Sequence, residues 1–193
     1  MAKMVKAKGH AKVIVTGRRR RFRPPTTHSR KKGLYPGRNR FLHATGSDAA
    51  GPITNGGFLR SKDGRLGAGV YFTKNLKVAT ILAKQRDPAR GQIFLVTVNM
   101  GKQKNYSPTK RVNPIAHQRG QNDWHGSFDS ATDMHSPWPR PEITFPHREW
   151  CVDNPTRISL CAKFSWQRAE QERHKKQIKE WMAGGRRVPA GGQ

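Results

Sequence analysis

The chain has 193 residues, 34% of them hydrophobic, and a formal net charge of +26 at pH 7. This length fits one domain with tails, because domains most often have about 100 to 150 residues. No apolar run approaches the roughly 20 residues that span a bilayer, and no apolar leader follows Met1. These features argue against a membrane-spanning or conventionally exported protein. They predict a soluble intracellular monomer, nuclear or cytoplasmic, without a membrane partner.

The positive charge is concentrated near the N-terminus, where residues 1–40 contain 14 Lys/Arg and no acidic residue. The most compact run of cations is Arg18, Arg19, Arg20 and Arg21. Because cations that neutralise phosphates release condensed counterions, this segment predicts a nucleic-acid partner, DNA or RNA. A solubilising tail and attraction to anionic membranes are the alternatives. Residues 1–38 offer too little apolar surface to offset their ordering entropy, so we expect a flexible arm there.

From residue 39 onwards, short apolar runs separated by glycines predict a β-rich core that extends to residue 164. The predicted strands are Phe41–His43, Gly69–Phe72, Ile93–Val98, Glu149–Val152 and Arg157–Phe164. Asn75 is a predicted N-cap for a helix over Leu76–Lys84, which ends before Asp87-Pro88. The proline-containing segment 102–147 is expected to form functional loops.

Residues 165–183 are predicted to form a basic C-terminal helix, followed by a flexible tail over 184–193. The helical spacing places Ile178, Trp181 and Met182 on one side. Through that side we expect the helix to dock on the core. The alternative is that the helix enters a nucleic-acid groove. Cys151 and Cys161, the two cysteines, are expected to be unreactive strand residues, because their spacing signals neither a disulfide framework nor a thiolate zinc site.

A series of motifs occurs along the core in a recognisable order. They are Phe41–Thr45, Gly57-Phe58, Gly67–Phe72, Gly91–Val98, Asp129-Ser130, Glu149–Val152 and Arg157-Ile158. Over residues 40–164 this order resembles the catalytic domains of poly(ADP-ribose) polymerases. The resemblance implies an α+β ADP-ribosyltransferase fold of two packed, mainly antiparallel β-sheets with flanking helices, to which this chain adds a basic N-terminal arm and a C-terminal helix.

The resemblance also implies a binding site for NAD, which serves as co-substrate, and no metal. It places His43 against the adenosine-ribose hydroxyls and Tyr71 in a stack with nicotinamide. Ala44 stands where the family usually has glycine, and its backbone would hold the nicotinamide amide beside Thr45. Gly69 would let the chain approach the dinucleotide. The alternative for His43 is an ordinary surface residue, and the alternative for Tyr71 is a core aromatic residue. The Gly-x-Gly pair that includes Gly69 would be weak evidence alone.

Glu149 occupies the position of the catalytic glutamate of that family. A carboxylate that grips the ribose 2′-hydroxyl stabilises the positive charge that develops when the nicotinamide bond breaks. The alternative is an edge-strand glutamate paired with Arg148 or Arg157. Many family members also have a second tyrosine about eleven residues after the first, where this chain has Leu82. Nicotinamide is then held from one side, or another ring completes the pocket; the candidates are Phe72, Tyr106 and Trp124.

The expected acceptor site surrounds this glutamate with aromatic and cationic side chains. They are Trp124, Trp138, His147, Arg148 and Trp150. Interleaved rings and cations suit an exposed nucleobase, since rings stack and cations hold phosphate. Trp138 and Trp150 are equally compatible with packing. A small basic transferase of this kind also resembles the shellfish proteins that ADP-ribosylate guanine in DNA.

Three functions follow as expectations. The first is an NAD-dependent mono-ADP-ribosyltransferase that transfers ADP-ribose to nucleic acid and releases nicotinamide. Its preferred acceptor is the guanine amino group of DNA. The second is a protein-directed mono-ADP-ribosyltransferase whose basic arms only locate it. The third is an inactive nucleic-acid-binding module that retains an NAD pocket, against which the retained Glu149 argues.

Overall fold

The computed structural model describes residues 39–106, 123–135 and 143–190. The strands, in chain order, are β1 (Arg40–Thr45), β2 (Val70–Thr73), β3 (Gln92–Val98), β4 (Gln103–Asn105), β5 (Ser130–His135), β6 (His147–Val152) and β7 (Ile158–Ser165). The α-helices are α1 (Ser47–Gly56), α2 (Leu76–Arg86), α3 (Trp166–Glu170) and α4 (Glu172–Met182). The described part of the chain is thus a mixed α+β structure, as predicted.

The strands form one seven-stranded sheet in the order β4-β5-β6-β2-β1-β3-β7. Its neighbours are antiparallel except for β4 and β5. The expectation of two packed sheets is therefore corrected. The link between β1 and β2 is nevertheless narrow, because their ladder has a single registered pair, Leu42 and Thr73. By contrast, β1 pairs with β3 along its whole length. We call this narrow link the β1–β2 seam.

Both faces of the sheet are buried, and this explains the continuous apolar run of β3. Phe94, Val96 and Val98 pack into a cluster beneath α1, whereas Ile93 and Leu95 pack into a second cluster beneath α2, α3 and α4. A strand buried on both faces lacks the apolar-polar alternation of a strand that is half exposed. The sheet, with its β1–β2 seam, therefore lies between α1 on one face and α2, α3 and α4 on the other.

The predicted start of α2 is confirmed. The Asn75 side chain accepts hydrogen bonds from the backbone N–H groups of Lys77 and Val78, at 3.0 and 3.4 Å. An N-cap of this kind typically contributes about 1 kcal/mol. The helix extends to Arg86, two residues beyond the predicted end, and places the Arg86 guanidinium near β1.

The single C-terminal helix predicted over residues 165–183 is wrong, because Gln171 has extended backbone angles (φ −61°, ψ 131°) and separates α3 from α4. Ala169 in α3 and Ile178 in α4 both pack into the second cluster. In one continuous helix, at 3.6 residues per turn, these two side chains would point about 180° apart. The break allows both to face the core, so the helix pair docks on it, and α4 also lines a surface groove.

Candidate active site at the β1–β2 seam

His43 lies immediately after the last paired position of the seam. Its Nδ1 is 2.8 Å from the backbone carbonyl oxygen of Tyr71. A carbonyl oxygen only accepts hydrogen bonds, so Nδ1 is the protonated ring nitrogen and Nε2 carries a lone pair. This tautomer presents an acceptor of the kind that binds a sugar hydroxyl.

The surroundings of His43 keep it neutral. The imidazole makes edge contacts with the rings of Phe58 and Phe72, at centroid distances of 5.2 and 5.9 Å. Burial lowers the pKa of His43 to about 4, the Arg86 cation acts in the same direction, and the hydrogen bond to Tyr71 opposes both. At neutral pH the side chain is therefore an uncharged imidazole in its Nδ1–H form.

Ala44, predicted to stand where the resembled family usually has glycine, has backbone angles that a side chain tolerates. None of the described non-glycine residues has a positive φ, so the backbone of Ala44 needs no glycine. Its carbonyl oxygen already accepts a hydrogen bond from the Arg86 guanidinium. A carbonyl has two lone pairs, so one remains for a carboxamide N–H. Thr45 is buried at the end of β1, opposite Gln92 of β3.

Tyr71 is fixed through its hydroxyl. The hydroxyl donates to the backbone carbonyl of Gly67 and accepts from the backbone N–H of Leu66, at 2.9 Å for the latter. Burial, followed by the proximity of the ionisable groups of Cys151 and Glu149, raises the pKa of Tyr71, so the hydroxyl stays protonated and can donate. A Cβ at Gly64 would lie 2.3 Å from the Tyr71 hydroxyl oxygen, so the loop closes tightly over the phenol.

Glu149 lies two residues from Tyr71 across the adjoining ladder. It is opposite Thr73 of β2, while Tyr71 is opposite Cys151, so Glu149 and Tyr71 project from the same face of the sheet. The contribution of Glu149 to the raised Tyr71 pKa agrees with this proximity. The structure thus brings Tyr71 and Glu149 together. The imidazole of His43 packs in the cluster on the other face and joins them through the Tyr71 backbone.

Arg65 is a residue of this region that sequence reasoning missed. It lies in the glycine-rich loop that covers Tyr71, and its guanidinium forms a 2.8 Å ion pair with Asp133, which is opposite Glu149 in β5. It also donates to the backbone carbonyl of Met134. The only sequence signal was a cation between glycines. Its partner is distant in sequence, so the contact could not be read from the loop alone.

Gly69 has a packing role in the described structure. A Cβ at this position would lie 2.3 Å from the Cys151 sulfur and 2.9 Å from the Val152 carbonyl oxygen. The close approach of the chain to β6 therefore requires glycine. Approach to a dinucleotide remains a prediction for this residue.

Leu82, Phe72 and Tyr106, the residues considered for the predicted nicotinamide pocket, have different surroundings. Leu82, in α2, packs against the second cluster, and Phe72 is buried in the first cluster. Tyr106 shares a third cluster with Tyr71, and its hydroxyl donates to Asp123. Of these residues, Tyr106 is thus the half-buried aromatic side chain that shares its surroundings with Tyr71.

The expectation that Trp124 stacks on a base is wrong. Its side chain is fully buried, with 0% exposure, and its indole N–H donates to the Leu66 carbonyl at 2.7 Å. A ring inside the third cluster has no face available to a nucleobase. Its indole N–H satisfies a carbonyl of the loop that covers Tyr71, so its role is to support that loop.

Three of the other side chains predicted for the acceptor site lie on β6. Trp150 is half-buried against Phe41, with ring centroids 5.2 Å apart, while His147 and Arg148 are half-buried at the start of the strand. All three line one groove, described below. Trp138 and the run Arg18–Arg21 lie outside the described residues.

The Asp129-Ser130 pair has structural partners. Asp129 forms an ion pair with Arg157 and accepts a hydrogen bond from the Lys102 backbone N–H. Ser130 is buried and donates to the Met100 carbonyl at 2.7 Å. These contacts tie the start of β5 to the turn before β4.

The cysteines lie in strands, as predicted. Cys151 is buried in β6, and burial followed by the nearby charges of Glu149 and Asp153 raises its pKa to about 12. Within the described residues no group of three or more His, Cys, Asp or Glu side chains is arranged to hold a metal ion. No helix in the described ranges is both long and apolar enough to cross a membrane.

No protein-family model matches the sequence, and no curated protein matches it significantly.

Proposed function

We propose that the chain is an NAD-dependent mono-ADP-ribosyltransferase with nucleic acid as acceptor. The observation that carries the proposal is the joint placement of Tyr71 and Glu149 on one face of β2 and β6, with His43 bonded to the Tyr71 carbonyl. A carboxylate beside a fixed aromatic ring suits the breaking of a nicotinamide-ribose bond: the ring positions the leaving group and the carboxylate acts on the sugar.

Each residue then has one task in the transfer. Tyr71 stacks on nicotinamide, whereas His43, whose imidazole lies on the opposite face of the sheet, holds the Tyr71 backbone through Nδ1. Glu149 grips the ribose 2′-hydroxyl of the nicotinamide half and stabilises the oxocarbenium-like transition state. One carbonyl lone pair of Ala44 remains for the carboxamide beside the Arg86 guanidinium.

The acceptor step follows from the same carboxylate. The exocyclic amine of guanine attacks the ribose carbon that loses nicotinamide, so a carbon–nitrogen bond forms as the bond to nicotinamide breaks. Glu149 takes the proton that the amine releases. DNA is the proposed acceptor because residues 1–40 hold 14 cations and no acid. Because those cations neutralise phosphates and release counterions, they favour the binding of nucleic acid over that of protein substrates.

The decisive experiment incubates the full chain with labelled NAD and duplex DNA, single-stranded DNA, RNA or a protein mixture. The products are then digested and their masses determined. We expect ADP-ribose on deoxyguanosine. Label confined to protein would instead support protein-directed transfer, and release of nicotinamide without labelled product would remove the nucleic-acid acceptor.

The catalytic assignment is tested with Glu149→Gln, which keeps the size of the side chain. We expect transfer to fall at least about 10²-fold, since a single transition-state contact of this kind contributes that much. The matched control is Glu180→Gln, at an exposed glutamate of α4. Near-normal transfer by the Glu149 variant would contradict the assignment.

A further inference from the structure

A groove of about 1220 Å³ lies between the start of α2, the start of β6 and the two C-terminal helices. Its lining includes five Lys/Arg side chains and one carboxylate, that of Glu170. The cations are Lys74, two residues before α2, Lys77 from α2, Arg148 from β6, and Lys175 and Lys179 from α4. A concave surface with this charge concentrates anions.

The sequence of α4 explains how a docked helix also presents charge. Lys175, Ile178, Lys179 and Met182 follow the i, i+3, i+4, i+7 spacing and all line the groove. Ile178 is buried in the core, while Lys179 is exposed. The stripe therefore runs from the core to the groove, and the Lys175 ammonium is also held by a 2.9 Å ion pair with Glu172. Exposed Arg173 and Lys176 of the same helix do not line the groove.

Aromatic rings hold two of the other cations in place. The Lys74 ammonium is 4.8 Å from the ring centroid of Phe41 and 5.5 Å from that of Trp150. The Lys77 ammonium is 4.9 Å from the ring centroid of Phe145. Rings alternating with cations are the combination that binds single nucleic-acid strands, because bases stack while cations follow the phosphates. Of the three rings, Trp150 lines the groove beside the cations.

We propose that this groove binds the sugar-phosphate backbone of the nucleic-acid acceptor. The identity of the bound strand as substrate rests on the proposed function. The link to the active site is β6, in which the groove residue His147 lies two positions before Glu149 and projects from the same face of the sheet. A volume above the roughly 300 to 1,000 Å³ of small-molecule pockets suits a length of polymer better than a single nucleotide.

The test compares two charge-matched variants of the full chain, each lacking two cations of α4. Lys175→Gln with Lys179→Gln changes the groove; Arg173→Gln with Lys176→Gln is the control. Binding of a labelled single-stranded oligonucleotide is followed by anisotropy without NAD, between 50 and 200 mM salt. We expect the slope of log affinity against log salt to fall by about 1.4 for the groove variant. The control should lose less than half as much.

Equal losses in the two variants would overturn the proposal, because net charge rather than the groove would then govern binding. A second pair, Lys74→Gln with Lys77→Gln, approaches the groove from α2 and should reproduce the loss even if the α4 variant is poorly folded. Unlabelled polyglutamate is the competitor that represents acidic proteins. Displacement by polyglutamate as efficient as by oligonucleotide, at equal charge, would also overturn the nucleic-acid assignment.

The failure of this proposal is distinguishable from failure of the proposed function. Binding is measured without NAD, whereas transfer is measured on the unmodified protein. Salt slopes as expected, together with no transfer to any nucleic acid, would remove the function and leave the groove. Transfer to DNA with equal salt slopes in the two α4 variants would remove the groove proposal and leave the proposed function.

Discussion

His43 and Tyr71 are joined by a hydrogen bond of 2.8 Å from the imidazole Nδ1 to the backbone carbonyl oxygen. The bond forms where β1 and β2 cease to pair. A side chain thus contributes a link between the two well-paired parts of the sheet at the point where the backbone ladder gives none. It also fixes the imidazole tautomer, which leaves Nε2 as the ring nitrogen that carries the lone pair.

The first prediction concerns pH. The pKa of His43 is about 4 in the folded chain and 6.5 for a free histidine side chain. Between these values the unfolded chain binds the proton and the folded chain does not, so stability falls as pH decreases from 6.5 to 4. The full contribution is about 3 kcal/mol. Urea unfolding of the wild type and of His43→Gln at a series of pH values measures it.

The variant His43→Gln is the control for the wild type, because its side-chain amide can still donate to the Tyr71 carbonyl but does not titrate. The free energy of unfolding of the wild type should drop faster than that of the variant as the solution is acidified. Parallel curves for the two proteins would contradict the lowered pKa. Other titrating groups contribute equally to both curves and cancel in the difference.

The second prediction concerns the Tyr71 hydroxyl. Tyr71→Phe keeps the ring but leaves the Leu66 N–H without its partner, at a cost of about 1 to 3 kcal/mol. The loop over the ring should loosen, so KM for NAD should rise more than kcat falls. Tyr106→Phe is the control, because the hydroxyl of Tyr106 bonds to the exposed Asp123. Equal destabilisation of both variants would show that the loop contacts carry no special weight.

The parts of the fold that sequence predicted are those with local signals. The strand Ile93–Val98 stood out as a β-branched run between glycines, and Asn75 as a helix cap. By contrast, α1 was missed because Gly51 and Pro52 lie inside it and lower its intrinsic helix propensity. It is stabilised by tertiary contacts of Ala50 and Ile53 with the first cluster.

The missed parts of the candidate site depend on distant pairing. β5 (Ser130–His135) is polar and lacks an apolar alternation, yet it forms a strand because β6 supplies its hydrogen bonds. Trp124 was expected at the surface, in a proline-containing polar segment, but finds a buried carbonyl partner in Leu66. The narrowness of the β1–β2 seam is a property of register between separated strands. No single segment encodes it.

The third prediction concerns Gly69. In Gly69→Ala the new methyl group would overlap the Cys151 sulfur and the Val152 carbonyl. Overpacking of this kind costs about 1 to 3 kcal/mol, so the urea midpoint should fall. Gly56→Ala is the control, because a Cβ there meets nothing within 4 Å, and its stability should hold or rise.

The sulfur contact in Gly69→Ala can be tested separately with the double variant Gly69→Ala, Cys151→Ala. Removing the sulfur relieves one of the two overlaps, so the double variant should be more stable than the sum of the single changes predicts. Additive losses would contradict the assigned contact. The Val152 carbonyl overlap remains in both, so complete rescue is not expected.

The last prediction concerns the basic run near the N-terminus. Four cations, Arg18–Arg21, are changed together to glutamine. If each meets one phosphate of single-stranded DNA, the slope of log affinity against log salt should fall by about 3. Hydrolysis of NAD should be unchanged, because electrostatic capture of nucleic acid and the chemistry at Glu149 are separate contributions. A matched change of Arg30, Lys31, Lys32 and Arg38 should lower the slope similarly if the arm acts through charge alone. An unchanged slope in both variants would assign the electrostatic contacts to the folded core, and the groove cations would then carry the whole salt dependence.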